Sequence, residues 1–222
     1  MGSRTQLARW AGLGGIVYVL LVIVGLVLLR GTPDGNANPA KVIAWYSDGG
    51  HRDRQSIGWL VIMLGLFALL WFLASLRASV ASFDDTGMLA QLVLVGGIVY
   101  VSLAAVAISL GVAVNTMSDD TYQHTVYPGL IHAANDAFWV IHAAGFIGFS
   151  AMMIATAVTV LRAKVVRPWL GWLGVVAGII AIAGIVGIPQ IIAGLWLIVV
   201  SIALFRSGGA RRPAPPTSSV AN

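Results

Sequence analysis

The chain has 222 residues, of which 59% are hydrophobic and only 9% charged, with a formal net charge of +5. That balance excludes a soluble nucleic-acid binder, which needs a dense basic surface and few apolar blocks. The absence of Cys excludes disulfides, thiolate metal sites and a Cys nucleophile.

The apolar residues gather in about six runs long enough to cross a ~30 Å hydrocarbon core. Segments in lipid must satisfy their backbone hydrogen bonds internally, so each run reads as a helix. The expectation is an all-α polytopic bundle: one domain of six transmembrane helices over residues 1–205 and a disordered cytoplasmic tail over 206–222. The tail carries Pro213, Pro215, Pro216 and several serines, a composition that buries little.

The first helix covers residues 10–29, preceded by Arg4 and Arg9. Its apolar run is too long for a signal-peptide core, and no small-residue cleavage site follows it, so it reads as retained. Met1-Gly2 opens like a myristoylation signal, but Gln6 stands where Ser or Thr is required. In the following segment, Asn38 is a good N-cap and Pro39 suits the first helical position. Val42, Ile43, Trp45 and Tyr46 then make a short helix that ends at Asp48-Gly49-Gly50, with its aromatics anchored at headgroup depth. His51, Arg52, Asp53 and Arg54 read as a solvated loop edge that orients the second helix, the alternative being an exposed outer cluster that meets anionic headgroups.

The second helix covers 57–76. Asp84-Asp85 with Gly87 forms a turn before the third, 88–114. Asp119-Asp120 lies in a solvated loop. The fourth spans 138–161, with Pro128 opening it upstream of the membrane. The stretch Trp169–Phe205 is uncharged and would run roughly 55 Å as one helix, too long for one span. Gly187-Ile188-Pro189-Gln190 near its middle predicts a tight turn between helices at 169–187 and 190–205.

Orientation follows from the Lys and Arg bias. With the N-terminus inside, the inner segments carry Arg4, Arg9, Arg77, Arg162, Lys164, Arg167, Arg206, Arg211 and Arg212, and the outer ones only Arg30, Lys41, Arg52 and Arg54. Both termini are therefore expected in the cytoplasm of a bacterial inner membrane. A short recurrence links two helices: Gly14-Gly15-Ile16-Val17-Tyr18-Val19 returns as Gly96-Gly97-Ile98-Val99-Tyr100-Val101. It reads either as a parallel repeat of the kind seen in transporters or as paired glycines that let helices approach closely.

Only one region collects titratable groups: His124, His132, Asn135, Asp136 and His142, at the outer end of the fourth helix. His132 and Asp136 are spaced i, i+4 and face one way. The cluster supports three functional readings. His132, Asp136 and His142 would bind a metal that activates water, although no HxxxH or HExxH spacing is present. Asp136 and His132 would relay protons. Or Asn135, Asp136, His132 and His142 would hold a polar headgroup. The plain alternative is that all four satisfy neighbouring helices. Ser75, Ser102, Ser109, Ser150 and Ser201 have no paired base and read as bonded to carbonyls of their own helices.

Four segments carry a family resemblance: Asn38 to Tyr46 with His51-Arg52, Trp71 to Arg77, Asn135-Asp136, and Leu161-Arg162 with Pro168 to Gly174. Together they resemble a family of uncharacterised six-helix integral membrane proteins of high-GC Gram-positive bacteria. The resemblance implies a multi-pass plasma-membrane protein with no established activity, and it transfers no catalytic residue. Asn135-Asp136 matches its pattern; His132 and His142 do not.

The sequence thus points to a membrane protein with no cofactor and no catalytic residue. Its expected role is accessory, binding or small-molecule transport, with an outward polar pocket around Asn135 and Asp136. Its expected partners are the lipid bilayer and a lipid or small lipophilic ligand, with no nucleic acid; Gly-rich helix faces permit a homo-oligomer. The alternative is a membrane-embedded metal-dependent hydrolase.

Overall fold

A computed structural model describes residues 10–119, 125–163, 168–182 and 187–207. Its elements are seven helices, with no strand among the described residues: α1 Gly14–Leu28, α2 Pro39–Tyr46, α3 Gly49–Ala81, α4 Met88–Met117, α5 Pro128–Ala163, α6 Pro168–Ala181 and α7 Gly187–Ser207. His124, the terminal arginines and the tail from 208 onward lie outside the described residues.

Local capping explains where the elements differ from the sequence reading. Asn38 caps α2 as expected, its Oδ1 accepting the Ala40 N–H at 2.8 Å. Asp48 does not close α2. Its carboxylate accepts the His51 N–H at 3.2 Å and so opens α3, which starts at Gly49 rather than at 57. His51 to Arg54 therefore lie in the first turns of a helix, not on a loop edge. Pro189 sits within the first turn of α7, where an N–H would lack a helical partner anyway. Residues 187–190 are therefore helical and do not form the expected turn. The turn at Asp84-Asp85 is present: Gly87 takes a left-handed φ of 70°, and Asp84 accepts the Ala90 N–H at 3.1 Å and the Thr86 hydroxyl at 2.8 Å.

Helices α3, α4 and α5 contain 33, 30 and 36 residues. At ~1.5 Å per residue each outreaches a ~30 Å hydrocarbon core. These three are long and apolar enough to cross a membrane; α1 and segments 171–181 and 190–206 are shorter apolar helices. Their outward faces are oily too: Phe67 is 60% and Ile147 63% exposed. Large exposed apolar surface of this kind is the mark of a membrane protein.

The helices form a ring. α1 packs on α3, α3 on α4, α4 on α5, α5 on α6 and α6 on α7, and α7 returns to α1. The short α2 lies across one end against α3 and α5. Phe72, Leu69, Leu73, Phe149, Met152 and Met153 fill the core.

Close contacts make the Gly-Gly-Ile-Val-Tyr-Val recurrence a structural repeat. The pair α1–α3 is reproduced by α4–α5. A Cβ on Gly14 would strike the Ala68 carbonyl, and one on Gly96 the Gly148 carbonyl, each at under 3.0 Å. A Cβ on Gly65 would touch Leu21 and Tyr18 at 3.3–3.4 Å, and one on Gly145 would touch Leu103 and Tyr100 at 3.3–3.5 Å. First-helix positions correspond as 14 to 96, 18 to 100 and 21 to 103, and second-helix positions as 65 to 145 and 68 to 148. The equivalent tyrosines meet, Tyr18 and Tyr100 sharing a buried hydrogen bond of 2.6 Å between their hydroxyls. These glycine faces are thus occupied within the chain. Two serines also depart from expectation: Ser150 donates across to the Gly178 carbonyl of α6, not within its own helix, and the buried Ser201 Oγ has no partner among the described residues.

Candidate functional site

Between the two repeats lies a cavity of about 620 Å³. That is within the size range of small-molecule sites. It occupies the half of the bundle nearest α2. Tyr18, Tyr100, Leu66 and Phe149 line its deep end; Thr32, Asp34, Gln55, Asn135 and Gln190 are the polar residues toward its mouth. The walls between are apolar. Ile23 of α1 and Ile191 of α7 line it and are also exposed, so it is not sealed between these helices.

The lining follows the repeat. Val22 and Ala104 correspond, as do Leu26 and Ile108, and all four face the cavity. On the second helices Gln55 corresponds to Asn135, Trp59 to Trp139 and Ile62 to His142, and all six face it as well.

The cap over this end is anchored from several sides. Val42, Trp45 and Tyr46 are buried with Val114 and Ile131. The α2 aromatics therefore pack within the protein and are not headgroup anchors. Arg52 donates to the Tyr46 carbonyl at 2.6 Å and lies 4.0 Å from Asp119. Asn115 donates to the Arg52 carbonyl at 3.2 Å, tying the end of α4 to the start of α3. Burial pushes the Tyr46 hydroxyl above its ordinary pKa, a rise the hydrogen bond with Gln55 partly offsets. Tyr46 is thus a neutral hydroxyl at physiological pH, accepting from Gln55 Nε2 at 3.3 Å.

The expected site residues divide. Asn135 lines the cavity. The loop before α2 lies on it, a Cβ at Gly35 falling 3.0 Å from Asn135 Nδ2 and 3.2 Å from Asp136 Oδ1. Asp136 is exposed and off the cavity wall. His132 is half-buried beside the cavity, and its Nε2 has no hydrogen-bond partner among the described residues. His142 lines the cavity deeper down, stacked on Phe138 at 5.8 Å and 6.1 Å from the Tyr100 ring. Among the described residues no three His, Asp, Glu or Cys side chains converge as metal ligands, His132, Asp136 and His142 included.

Gln55, Trp59 and Gln190 are site residues that the sequence reading did not single out. Gln55 is only 3% exposed, and its Oε1 lacks a partner among the described residues, as does Trp59 Nε1. The signal for the first two was present: Gln55-x-x-x-Trp59 and Asn135-x-x-x-Trp139 recur at matching places in the two hairpins. It emerges once the repeat is followed from the first helix of each hairpin into the second. No protein-family model matches the chain, and no curated protein or solved structure matches it either.

Proposed function

We propose that this chain is a six-span protein of a bacterial plasma membrane, a member of the family it resembles, that binds or carries a small lipophilic molecule without transforming it. The observation that carries the reading is the cavity of about 620 Å³ between the repeats, apolar along its walls and polar at its mouth. Carboxamides and phenols on such a wall hold and orient a ligand; they do not form a nucleophile and base. The rival reading, hydrolysis with a metal on His132, Asp136 and His142, requires those side chains to converge, and among the described residues they do not.

The six spans are α1 and α3 to α7, with α2 an outer cap. Arg77, Arg162 and Arg206 sit near the ends of α3, α5 and α7 remote from α2. By the positive-inside bias that end is cytoplasmic, and the cavity mouth opens outward.

The test is mass spectrometry of organic extracts from purified protein, wild type beside Ala104→Trp. Ala104 is 2% exposed on the cavity wall, so an indole there fills the space. A lipophile enriched in the wild type and lost from a folded Ala104→Trp supports the reading. Identical extracts from both refute it.

A further inference from the structure

The cavity wall carries the same two side-chain types twice. On α3 a carboxamide, Gln55, stands four residues before an indole, Trp59; on α5 Asn135 stands four before Trp139. All four line the cavity, and the spacing puts each pair on one helix face, one turn apart. We propose that these duplicated pairs form a headgroup site for a neutral, hydroxyl-bearing amphiphile, the carboxamides bonding its head and the indoles flanking the start of its tail. The inference rests on the cavity being a lipophile site and names the class of lipophile.

Three observations fix the chemistry. First, Gln55 is almost wholly buried, yet its Oε1 accepts no hydrogen bond among the described residues. A buried acceptor without a donor is costly, and a ligand hydroxyl supplies one. One of the two Nε2 N–H groups is committed to the Tyr46 hydroxyl, and the atom of Gln55 with no partner at all is its acceptor. Second, Asn135 offers both a carbonyl oxygen and an amide N–H₂, so it both accepts from and donates to a hydroxyl. Third, no Lys or Arg lines the cavity among the described residues. A phosphate or carboxylate head would enter without a counter-charge and keep its full desolvation cost. The one carboxylate on the lining, Asp34, is exposed at the mouth, where water and salt screen it from a cationic head. The gap beside Ile23 and Ile191 gives the tail a way out toward lipid.

The experiment is a native mass-spectrometric titration of the full chain in lauryldimethylamine oxide with four probes of similar chain length. They are monooleoylglycerol, its phosphate ester oleoyl-lysophosphatidic acid, oleyltrimethylammonium and the headless 1-octadecene. Monooleoylglycerol is expected to bind at least tenfold tighter than the other three. Asn135→Leu and Gln55→Leu should each weaken it about tenfold, the value of one buried hydrogen bond, and leave 1-octadecene unchanged. Asn135→Leu carries the test if Gln55→Leu loosens α2 through Tyr46. Equal binding of all probes, tighter binding of a charged probe, or indifference to both substitutions overturns the headgroup site while lipophile binding stands. If no probe binds wild type better than Ala104→Trp, the underlying reading fails instead.

Discussion

The hydrogen bond between Tyr18 and Tyr100 gives the sharpest energetic prediction. The two phenols come from equivalent positions of the repeated hairpins, are 8% and 3% exposed, and meet at 2.6 Å at the deep end of the cavity. Removing one hydroxyl leaves the other buried without its partner, which costs about 1–3 kcal/mol. Removing both abolishes the bond and the orphan together, which is close to neutral. Tyr18→Phe and Tyr100→Phe should therefore each destabilise the protein by about 1–3 kcal/mol, and the double variant by less than either single change. Reversible unfolding in mixed micelles of increasing sodium dodecyl sulfate content, followed by circular dichroism, measures all four proteins. A double variant whose loss equals the sum of the singles would refute the claim that the repeats are joined through this bond.

The other predictions concern the same architecture. Gly14→Ala and Gly96→Ala should each lower stability by about 1–3 kcal/mol in that assay, because a methyl collides with backbone across the helix pair. Gly129→Ala, with nothing within 4 Å, should be neutral or stabilising by up to ~1 kcal/mol. Around Asp84, burial raises the carboxyl pKa. Donors outweigh it, the N–H groups of Ala90, Leu89 and Thr86 together with the Thr86 hydroxyl, and hold the pKa below its ordinary value of 3.8. The stability it contributes is thus present above the ordinary carboxylate range and lost as pH falls through the depressed value. Acid titration of unfolding should show that loss in the wild type and a flatter profile in Asp84→Asn. Because the chain has no Cys, Asp34→Cys and Asp85→Cys make clean reporters of sidedness. An impermeant maleimide added to intact cells should label the first and not the second, and the reverse would invert the proposed topology.

Much of the fold was legible because lipid leaves the backbone little choice. Apolar runs and Pro or Asn punctuation locate the helices, and Asn38 caps α2 as its residue type requires. The errors came where one side chain had two local uses. Asp48 before two glycines reads as a helix end, yet its carboxylate caps the next helix. Pro189 reads as a breaker, yet the first turn of α7 tolerates it. The site was half legible. Polar and titratable groups at membrane depth draw the eye, which singles out Asn135 and His142 on the cavity wall but also Asp136 and His132, which stand off it. Gln55 carries no charge and reads as the polar start of an apolar helix. Only its equivalence to Asn135, visible once the hairpins are superposed through Tyr18 and Tyr100, marks it.

The cavity itself is the most direct point of attack. Crystals of the full chain grown from a monooleoylglycerol mesophase would show it at atomic detail. The account predicts Val22 and Ala104 standing apart across a space that holds elongated electron density, with a hydroxyl within hydrogen-bond distance of Gln55 Oε1 or Asn135. Val22 and Ala104 packed together, with the space closed and no density between the repeats, would contradict it.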